Sequence, residues 1–150
     1  AAQAAGCSPV INALESGAAH PEPVMPDTIA KSIAIGNPAD GYQVLDTVRG
    51  SGGSGARATD PEILAAIGLL ARTEGIFTEP AGGTTLAATI NLLEAGTIPR
   101  DESIVVCVTG NGYKTSNVMT DQLTEPTRLG RSLREFEAFL AEHSTQPAHG

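Results

Sequence analysis

The sequence is poor in basic side chains and in long apolar runs. Nine Lys and Arg residues stand against seventeen Asp and Glu residues, which gives a formal charge of -8. Nucleic acids and anionic membranes are bound through basic patches, so this balance argues against both as partners. No apolar run approaches the roughly twenty residues of a membrane span, and no charged leader precedes an apolar core as in a signal peptide. The sequence therefore predicts a soluble protein without a membrane or nucleic-acid partner.

Cysteine is also scarce. Cys7 and Cys107 lie far apart and show no metal-ligand spacing, and Cys107 falls inside the apolar run SIVVCV. We therefore expect two buried, reduced thiols and no metal site, and reduced thiols indicate a cytoplasmic protein. With 150 residues the chain is long enough for one domain with its own core, and nothing in it requires two.

Helices are predicted from local signals and apolar spacing. Ser8 followed by Pro9 is a typical helix start, with the Ser8 hydroxyl as N-cap and Gly17 near the end. Thr59 and Glu62 form the T-x-x-E pattern of a capping box. The predicted helices span about 9–14, 40–49, 59–74 and 82–94, and an amphipathic helix is expected within 131–143.

Extended segments alternate with these helices. GARA, residues 55–58, reads as a short strand, and SIVVCV, residues 103–108, is a continuous apolar run typical of a parallel strand that is covered on both faces. This alternation predicts the α/β class. VCVT is followed by Gly-Asn-Gly, so Thr109 stands at the carboxyl end of the predicted strand, where open α/β sheets bind ligands.

Three segments together carry a family resemblance. SIAIGNP at 32–38, ATDPEILAAIGLLARTEGIFTEPAGG at 58–83 and VCVTGNGYKT at 106–115 resemble, in this order, the carboxyl-terminal part of threonine synthases. These are pyridoxal-phosphate enzymes of fold type II, related to the tryptophan synthase β chain. The resemblance covers about residues 1–140.

The resemblance implies a fold and a reaction. The expected fold is a three-layer α-β-α arrangement with a mostly parallel sheet, and the whole chain would be the carboxyl-terminal portion of the catalytic fold. Residues 1–19 and 27–120 would form its core, and 121–150 a tail with the terminal helix. The expected reaction converts O-phospho-L-homoserine and water to L-threonine and phosphate with pyridoxal 5'-phosphate as cofactor, in a homodimer.

The resemblance also implies which residues face the cofactor. In this superfamily a Ser or Thr hydroxyl at the position of Thr109 contacts the pyridine nitrogen, and Gly110 follows it in the turn. The alternative is that the Thr109 hydroxyl only caps the turn. Glu79 matches the family glutamate of the E-P-A segment, with a role near the ring or in ordering the Thr109 turn. As a residue at a helix start, Glu79 is also explained without any such role.

A second group of residues matches the segment that passes over one face of the cofactor ring. These are Ala30, Lys31 and Ser32, and tight backbone packing is the alternative reading of their small side chains. Asn37, in I-G-N-P, either faces the substrate or holds its own turn, and the turn is favoured.

The lysine that forms the Schiff base with the cofactor has no counterpart here. In the family it lies far upstream in an S-F-K-D-like segment, as does the glycine-rich phosphate loop, and only Lys31 and Lys114 are present in this sequence. Without that lysine the covalent route is closed. We therefore expect no catalytic residue in this chain, an inactive chain on its own, and an amino-terminal part of the same enzyme as its partner.

Three other functions stay open. One is a different fold-type-II enzyme, a threonine dehydratase or a cysteine synthase. Another is a binding or assembly module without chemistry. A nicotinamide enzyme is a weaker third, because G-N-G is only part of G-x-G-x-x-G and position 115 is threonine.

Overall fold

The computed structural model describes residues 1–122 and 127–143. In chain order its elements are β1 (Ala2–Ala4), α1 (Pro9–Ser16), α2 (Gly41–Gly50), β2 (Ala56–Ala58), α3 (Asp60–Glu74), α4 (Pro80–Glu94) and α5 (Leu133–His143). Short 3-10 segments lie at Lys31–Ile33 and Gly112–Gln122. The predicted helices are all present, with ends that differ from the expected ones by about two residues or fewer.

The two strands form a parallel pair, with Ala2 opposite Ala56 and Ala4 opposite Ala58. The chain passes from β1 to β2 through α1 and α2, which pack against each other. A parallel pair of strands requires such a crossover, and a helical crossover is the common solution. The α/β class is therefore confirmed. Within 1–122 and 127–143 this pair is the only sheet, so the three-layer arrangement stays a prediction.

The main core lies where α3 and α4 pack against each other and α4 covers the two strands. Its buried members are mostly small or β-branched: Ala4, Ala30, Ala58, Ile63, Ala66, Ile67, Ala87 and Met119. Gly83 of α4 sits at the closest approach to α3. A Cβ atom at Gly83 would lie 2.8 Å from the Ile63 carbonyl oxygen and 2.7 Å from Ile67 Cγ1. The glycine therefore sets the distance between the two helices.

The start of α1 differs from the expected one. Ser8 is the N-cap residue, but its hydroxyl makes no capping hydrogen bond. Instead, Gln3 of β1 accepts hydrogen bonds from the amides of Val10 and Ile11 at 2.9 and 3.0 Å. A side chain that is distant in sequence thus satisfies the amides that a local cap would bind. The end of the helix agrees with expectation, since Gly17 adopts a left-handed conformation at φ 73°.

The apolar run 103–108 is not a strand in this chain. None of its backbone groups is hydrogen-bonded to another described residue, and neither β1 nor β2 pairs with it. Val105 is 90 % exposed. The prediction of a buried strand is wrong here because an isolated segment forms a strand only when it can pair with a neighbour, and no described segment is in place to do so.

The two thiols differ in environment because Cys107 lies on this unpaired, exposed run. Both cysteines are free, but Cys7 is buried whereas Cys107, on the unpaired run, is exposed. The prediction of a buried Cys107 is therefore wrong. Burial raises the pKa of the Cys7 thiol, which keeps it protonated and unreactive at neutral pH.

The predicted capping box of α3 is present. Glu62 Oε2 accepts hydrogen bonds from the Thr59 hydroxyl and the Thr59 amide, both at 2.6 Å, and Thr59 Oγ1 accepts one from the Glu62 amide at 3.4 Å. Asn91 of α4 donates to the other oxygen of Glu62 at 3.3 Å. The hydrogen bonds from Thr59, from its hydroxyl first, lower the pKa of Glu62 below the usual 4.5.

Replacement of Glu62 by glutamine should therefore destabilise the protein in a pH-dependent way. We expect Glu62→Gln to lower the free energy of unfolding by about 0.3–1 kcal/mol near neutral pH, because glutamine can still complete the capping box but lacks the negative charge at the helix start. Because the folded-state pKa is lowered, the carboxylate stabilises the fold above its unfolded pKa, and this stabilisation is lost as pH falls through the folded pKa. The deficit of the variant, measured by urea unfolding, should shrink on acidification.

Glu74→Gln, at the exposed end of the same helix, is the matched control and should change stability by less than about 0.5 kcal/mol. A Glu62→Gln deficit that stays constant from neutral to acidic pH would show that the carboxylate charge contributes nothing to the cap.

The contacts divide the chain into a unit Ala1–Thr120 and a unit Asp121–Gly150. In the second unit, the expected amphipathic helix forms as α5, with Leu133, Phe136 and Leu140 exposed. The parts of the predicted tail at 123–126 and 144–150 lie outside the described residues. None of the described helices has the length and apolar character needed to cross a membrane.

Candidate functional site

The turn after the unpaired run 103–108 is held by residues at the start of α4. The Gly110 carbonyl oxygen lies 3.1 Å from the Glu79 amide nitrogen and 3.1 Å from the Thr78 hydroxyl, and both groups can donate a hydrogen bond to it. Glu79 is the N-cap residue of α4. The turn that carries Thr109 is thus anchored to a helix start 32 residues away in sequence.

Backbone and ring contacts extend this attachment beyond Gly110. Thr78 forms an antiparallel bridge with Asn111, and the Gly112 amide donates to the Phe77 carbonyl at 3.0 Å. The Phe77 ring also packs edge-on against Tyr113, with ring centroids 5.3 Å apart. A Cβ atom at Gly112 would lie 2.7 Å from the Phe77 ring, so glycine is required for this close approach.

The side chain of Glu79 packs directly against Gly110. Gly110 is buried, and a Cβ atom at its position would overlap the carboxyl group of Glu79. The Glu79 side chain makes no capping hydrogen bond to α4. Its carboxyl group instead lies against Gly110 of the turn. A contact between Glu79 and a cofactor ring stays a prediction.

Thr109 is exposed, and its hydroxyl has no hydrogen-bond partner in the part of the chain that the structure describes. The turn is closed by a different side chain, because Asn111 Oδ1 accepts the Tyr113 amide at 2.9 Å. The capping role considered for Thr109 is therefore filled by Asn111. The Thr109 hydroxyl remains available to a ligand at the end of the run.

The segment expected over the cofactor ring has a mixed environment. Ala30 is fully buried in the core, and its amide and carbonyl groups are hydrogen-bonded to Thr28 and Ile33, so neither its methyl group nor its backbone faces a ligand in this structure. Ser32 is exposed, within a 3-10 segment that contacts α4. Among the described residues no hydrogen bond joins this segment to the Thr109 turn.

A partly buried hydrogen-bond network fixes the start of that segment. Asp60 accepts hydrogen bonds from the Thr28 hydroxyl at 2.5 Å and from the Ile29 amide at 3.1 Å, and the Ala30 amide donates to Thr28 Oγ1 at 3.2 Å. Thr28 is buried. The first residue of α3 thus determines the path of the chain into Ala30 and Ser32.

Neither lysine lies in a setting that activates an amine. Lys31 and Lys114 are exposed, and neither ammonium group forms an ion pair with a carboxylate of the described residues. The side chain of Asn37 is also exposed and makes no hydrogen bond within the described ranges, so the turn favoured for it is not formed by an Asx bond.

Sequence reasoning missed several polar residues of this region. Thr78, Thr28 and Asp60 each hold a predicted site segment, but threonine before a helix and aspartate at a helix start are common for local reasons. Thr115 has a buried hydroxyl oxygen with no partner among the described residues. Only the three-dimensional contacts distinguish these residues from ordinary capping residues.

The described fold and turn define a parallel α/β protein with a free hydroxyl at the end of an extended run. The sequence profile described as pyridoxal-phosphate dependent enzyme matches residues 1–110. The chain therefore belongs to the pyridoxal-phosphate dependent enzyme family.

Within this family, the chain is similar to threonine synthases. The chain is 40% identical over 141 residues to the threonine synthase of Methanocaldococcus jannaschii, which covers 93% of the chain and 35% of the relative. It is 42% identical over 126 residues to that of Methanosarcina acetivorans, covering 83% of the chain and 31% of the relative. For Mycobacterium leprae threonine synthase the identity is 40% over 112 residues, covering 75% of the chain and 29% of the relative. The chain thus spans about a third of these relatives and corresponds to their carboxyl-terminal part.

Proposed function

We propose that this chain is the carboxyl-terminal part of a threonine synthase. The whole enzyme would use pyridoxal 5'-phosphate to convert O-phospho-L-homoserine and water to L-threonine and phosphate. The similarity to threonine synthases over 93% of the chain supports the reaction. The observation that carries the assignment of the site is the exposed Thr109 hydroxyl, which has no hydrogen-bond partner within residues 1–122 and 127–143, on a turn that is hydrogen-bonded to the start of α4.

The residues of the turn fit this cofactor. A neutral hydroxyl can hydrogen-bond the pyridine nitrogen without bringing a charge, so the nitrogen stays largely unprotonated. Gly110 has no side chain, so the Glu79 carboxyl group fits against the turn beside Thr109, and the Glu79 amide bonds the Gly110 carbonyl. The bound cofactor would supply the electron sink for carbanion chemistry. The exposed Ser32 would line one face of the ring.

We propose further that the amino-terminal part of the same enzyme completes this chain. It would bring the Schiff-base lysine and the phosphate loop, since neither lysine of this chain lies in a suitable setting. A groove of about 620 Å³ between β1, α4 and residues 103–105 supports this partner, because it lies beside the unpaired run. A strand from the partner would pair with that run and extend β1 and β2 towards the three-layer fold. A homodimer and a cytoplasmic location stay predictions.

The reaction is tested on the whole enzyme loaded with pyridoxal phosphate. With O-phospho-L-homoserine we expect equal amounts of phosphate and L-threonine, and with the chain alone we expect neither. L-Threonine as substrate is the matched comparison, because a dehydratase would convert it to a 2-oxo acid and ammonia. Deamination of L-threonine without phosphate release would contradict this proposal and identify a threonine dehydratase. Formation of cysteine from an activated serine would identify a cysteine synthase. A protein that binds no cofactor would favour an assembly module.

A further inference from the structure

Thr78 occupies a buried position between α4 and the Thr109 turn. It is 1 % exposed, and its hydroxyl oxygen lies 3.1 Å from the Gly110 carbonyl oxygen and 3.2 Å from that of Glu79. The hydroxyl fits there because Gly82, one turn into α4, has no side chain; a Cβ atom at Gly82 would overlap Thr78 Oγ1. Two glycines and one threonine thus form a packed contact that joins the helix start to the turn.

The hydroxyl has one proton and two carbonyl acceptors within reach. The Glu79 carbonyl also accepts the amides of Gly82 and Gly83 at 3.0 and 3.2 Å, as the first intrahelical hydrogen bonds of α4. Among the described residues, the Gly110 carbonyl accepts one other hydrogen bond besides that of Thr78, from the Glu79 amide. The proton of Thr78 therefore has its greater effect on Gly110, where it provides the second of two donors.

This bond matters for Thr109 because few other contacts fix the turn from its amino-terminal side. The preceding run 103–108 has no backbone hydrogen bond within the described residues, and the Thr109 hydroxyl has none either. Within the described residues, the backbone hydrogen bonds nearest to Thr109 are therefore those of Gly110. In the whole enzyme they would fix the carboxyl side of Thr109, while the proposed partner strand would pair with the run on its amino side. A displacement of the Gly110 carbonyl moves the adjoining peptide unit and with it the direction of the Thr109 side chain.

We propose that Thr78 is a positioning residue for the cofactor site, which sets the place of the Thr109 hydroxyl through the Gly110 carbonyl. This role rests on the proposed function, in which Thr109 contacts the pyridine nitrogen. Thr78 itself touches neither cofactor nor substrate in this account. Its hydroxyl, rather than its volume, is the part that acts.

The test compares Thr78→Val, which keeps the volume and removes the hydroxyl, with Thr78→Ser, which keeps the hydroxyl. Thr84→Val is the matched control, because Thr84 is also 1 % exposed on α4 but its hydroxyl donates to the Pro80 carbonyl at 2.8 Å. All variants are made in the whole enzyme, alone and combined with Thr109→Val. Two properties are measured: amide hydrogen exchange of Glu79 and Gly112 without cofactor, and the affinity for pyridoxal phosphate.

We expect Thr78→Val to speed exchange of both amides and to weaken cofactor binding about three- to tenfold, the effect of one ordinary hydrogen bond. Thr78→Ser and Thr84→Val should resemble the wild type. In the Thr109→Val background, Thr78→Val should have no further effect on cofactor affinity, because Thr78 acts through Thr109.

Several results would overturn the positioning role. One is that Thr78→Val and Thr84→Val weaken cofactor binding equally, and another is that Thr78→Val has its full effect without the Thr109 hydroxyl. Unchanged exchange of the two amides would show that Thr78 does not hold the turn. If the wild-type enzyme binds no pyridoxal phosphate, the proposed function fails, and with it the role at the cofactor. If the wild-type enzyme binds pyridoxal phosphate and Thr78→Val leaves the affinity unchanged, the positioning role alone is overturned.

Discussion

Gly83→Ala is expected to lower the free energy of unfolding by about 1–2 kcal/mol. Overpacking a core typically costs about 1–3 kcal/mol, and the cost here falls at the upper end because the new methyl group meets the Ile63 backbone carbonyl as well as Ile67. The better helix propensity of alanine offsets about 1 kcal/mol of this cost. Urea unfolding monitored by circular dichroism measures the difference.

Gly68→Ala on α3 is the matched control for this substitution. Its Cβ atom would meet only the end of the flexible Arg72 side chain at 3.2 Å, so the propensity gain of about 0.5–1 kcal/mol should remain. The two variants should therefore differ by about 1.5–3 kcal/mol. Equal stabilisation by both would mean that α3 and α4 are not packed as closely as described.

Substitution of Thr109 should change the bound cofactor in two distinct ways. Thr109→Val removes the hydroxyl at similar volume and should weaken cofactor binding by about 0.5–1.5 kcal/mol. Thr109→Asp places a carboxylate at the ring nitrogen and should raise the pKa of that nitrogen, because a neighbouring negative charge favours the protonated form. Absorption spectra of the whole enzyme as a function of pH measure this change, and the distribution of reaction products should change with it.

The capping alternative predicts a different pair of results. If the hydroxyl only stabilised the turn, Val would lower the thermal stability without a spectral change, and Asp would be tolerated because it also caps turns. Asn111→Ala is the matched control, since Asn111 closes the turn in the structure. It should lower the stability of the turn and leave the protonation of the ring nitrogen as it is. Unchanged spectra in both Thr109 variants would rule out the ring contact.

Features of the fold that arise from neighbours in sequence could be predicted. The capping box of Thr59 and Glu62 and the left-handed Gly17 depend on residues within one helical turn, and both are present. The prediction that the Ser8 hydroxyl caps α1 was wrong, because Gln3 from the preceding strand accepts hydrogen bonds from the first free amides of the helix. The prediction of a strand at 103–108 was wrong for a related reason. The apolar character of a segment indicates what it can bury, but not whether a partner strand is in place.

The candidate site shows the same division. Thr109 and Glu79 were singled out by a motif resemblance, and the structure brings Glu79 against the Thr109 turn. The hydrogen bonds of Thr78 to Gly110 and of Asp60 to Thr28 each span 32 residues. No local pattern marks such pairs, because each residue also has an ordinary explanation at a helix start.

The central claim is that this chain carries the ring-nitrogen side of a pyridoxal-phosphate site whose Schiff-base lysine lies in the amino-terminal part. The direct measurement is borohydride reduction in the presence of pyridoxal phosphate, followed by peptide mapping, on the chain alone and on the whole enzyme. We predict no specific adduct on the chain alone, and one stoichiometric adduct in the whole enzyme on a lysine outside residues 1–150. A stoichiometric adduct on Lys31 or Lys114 would contradict the central claim.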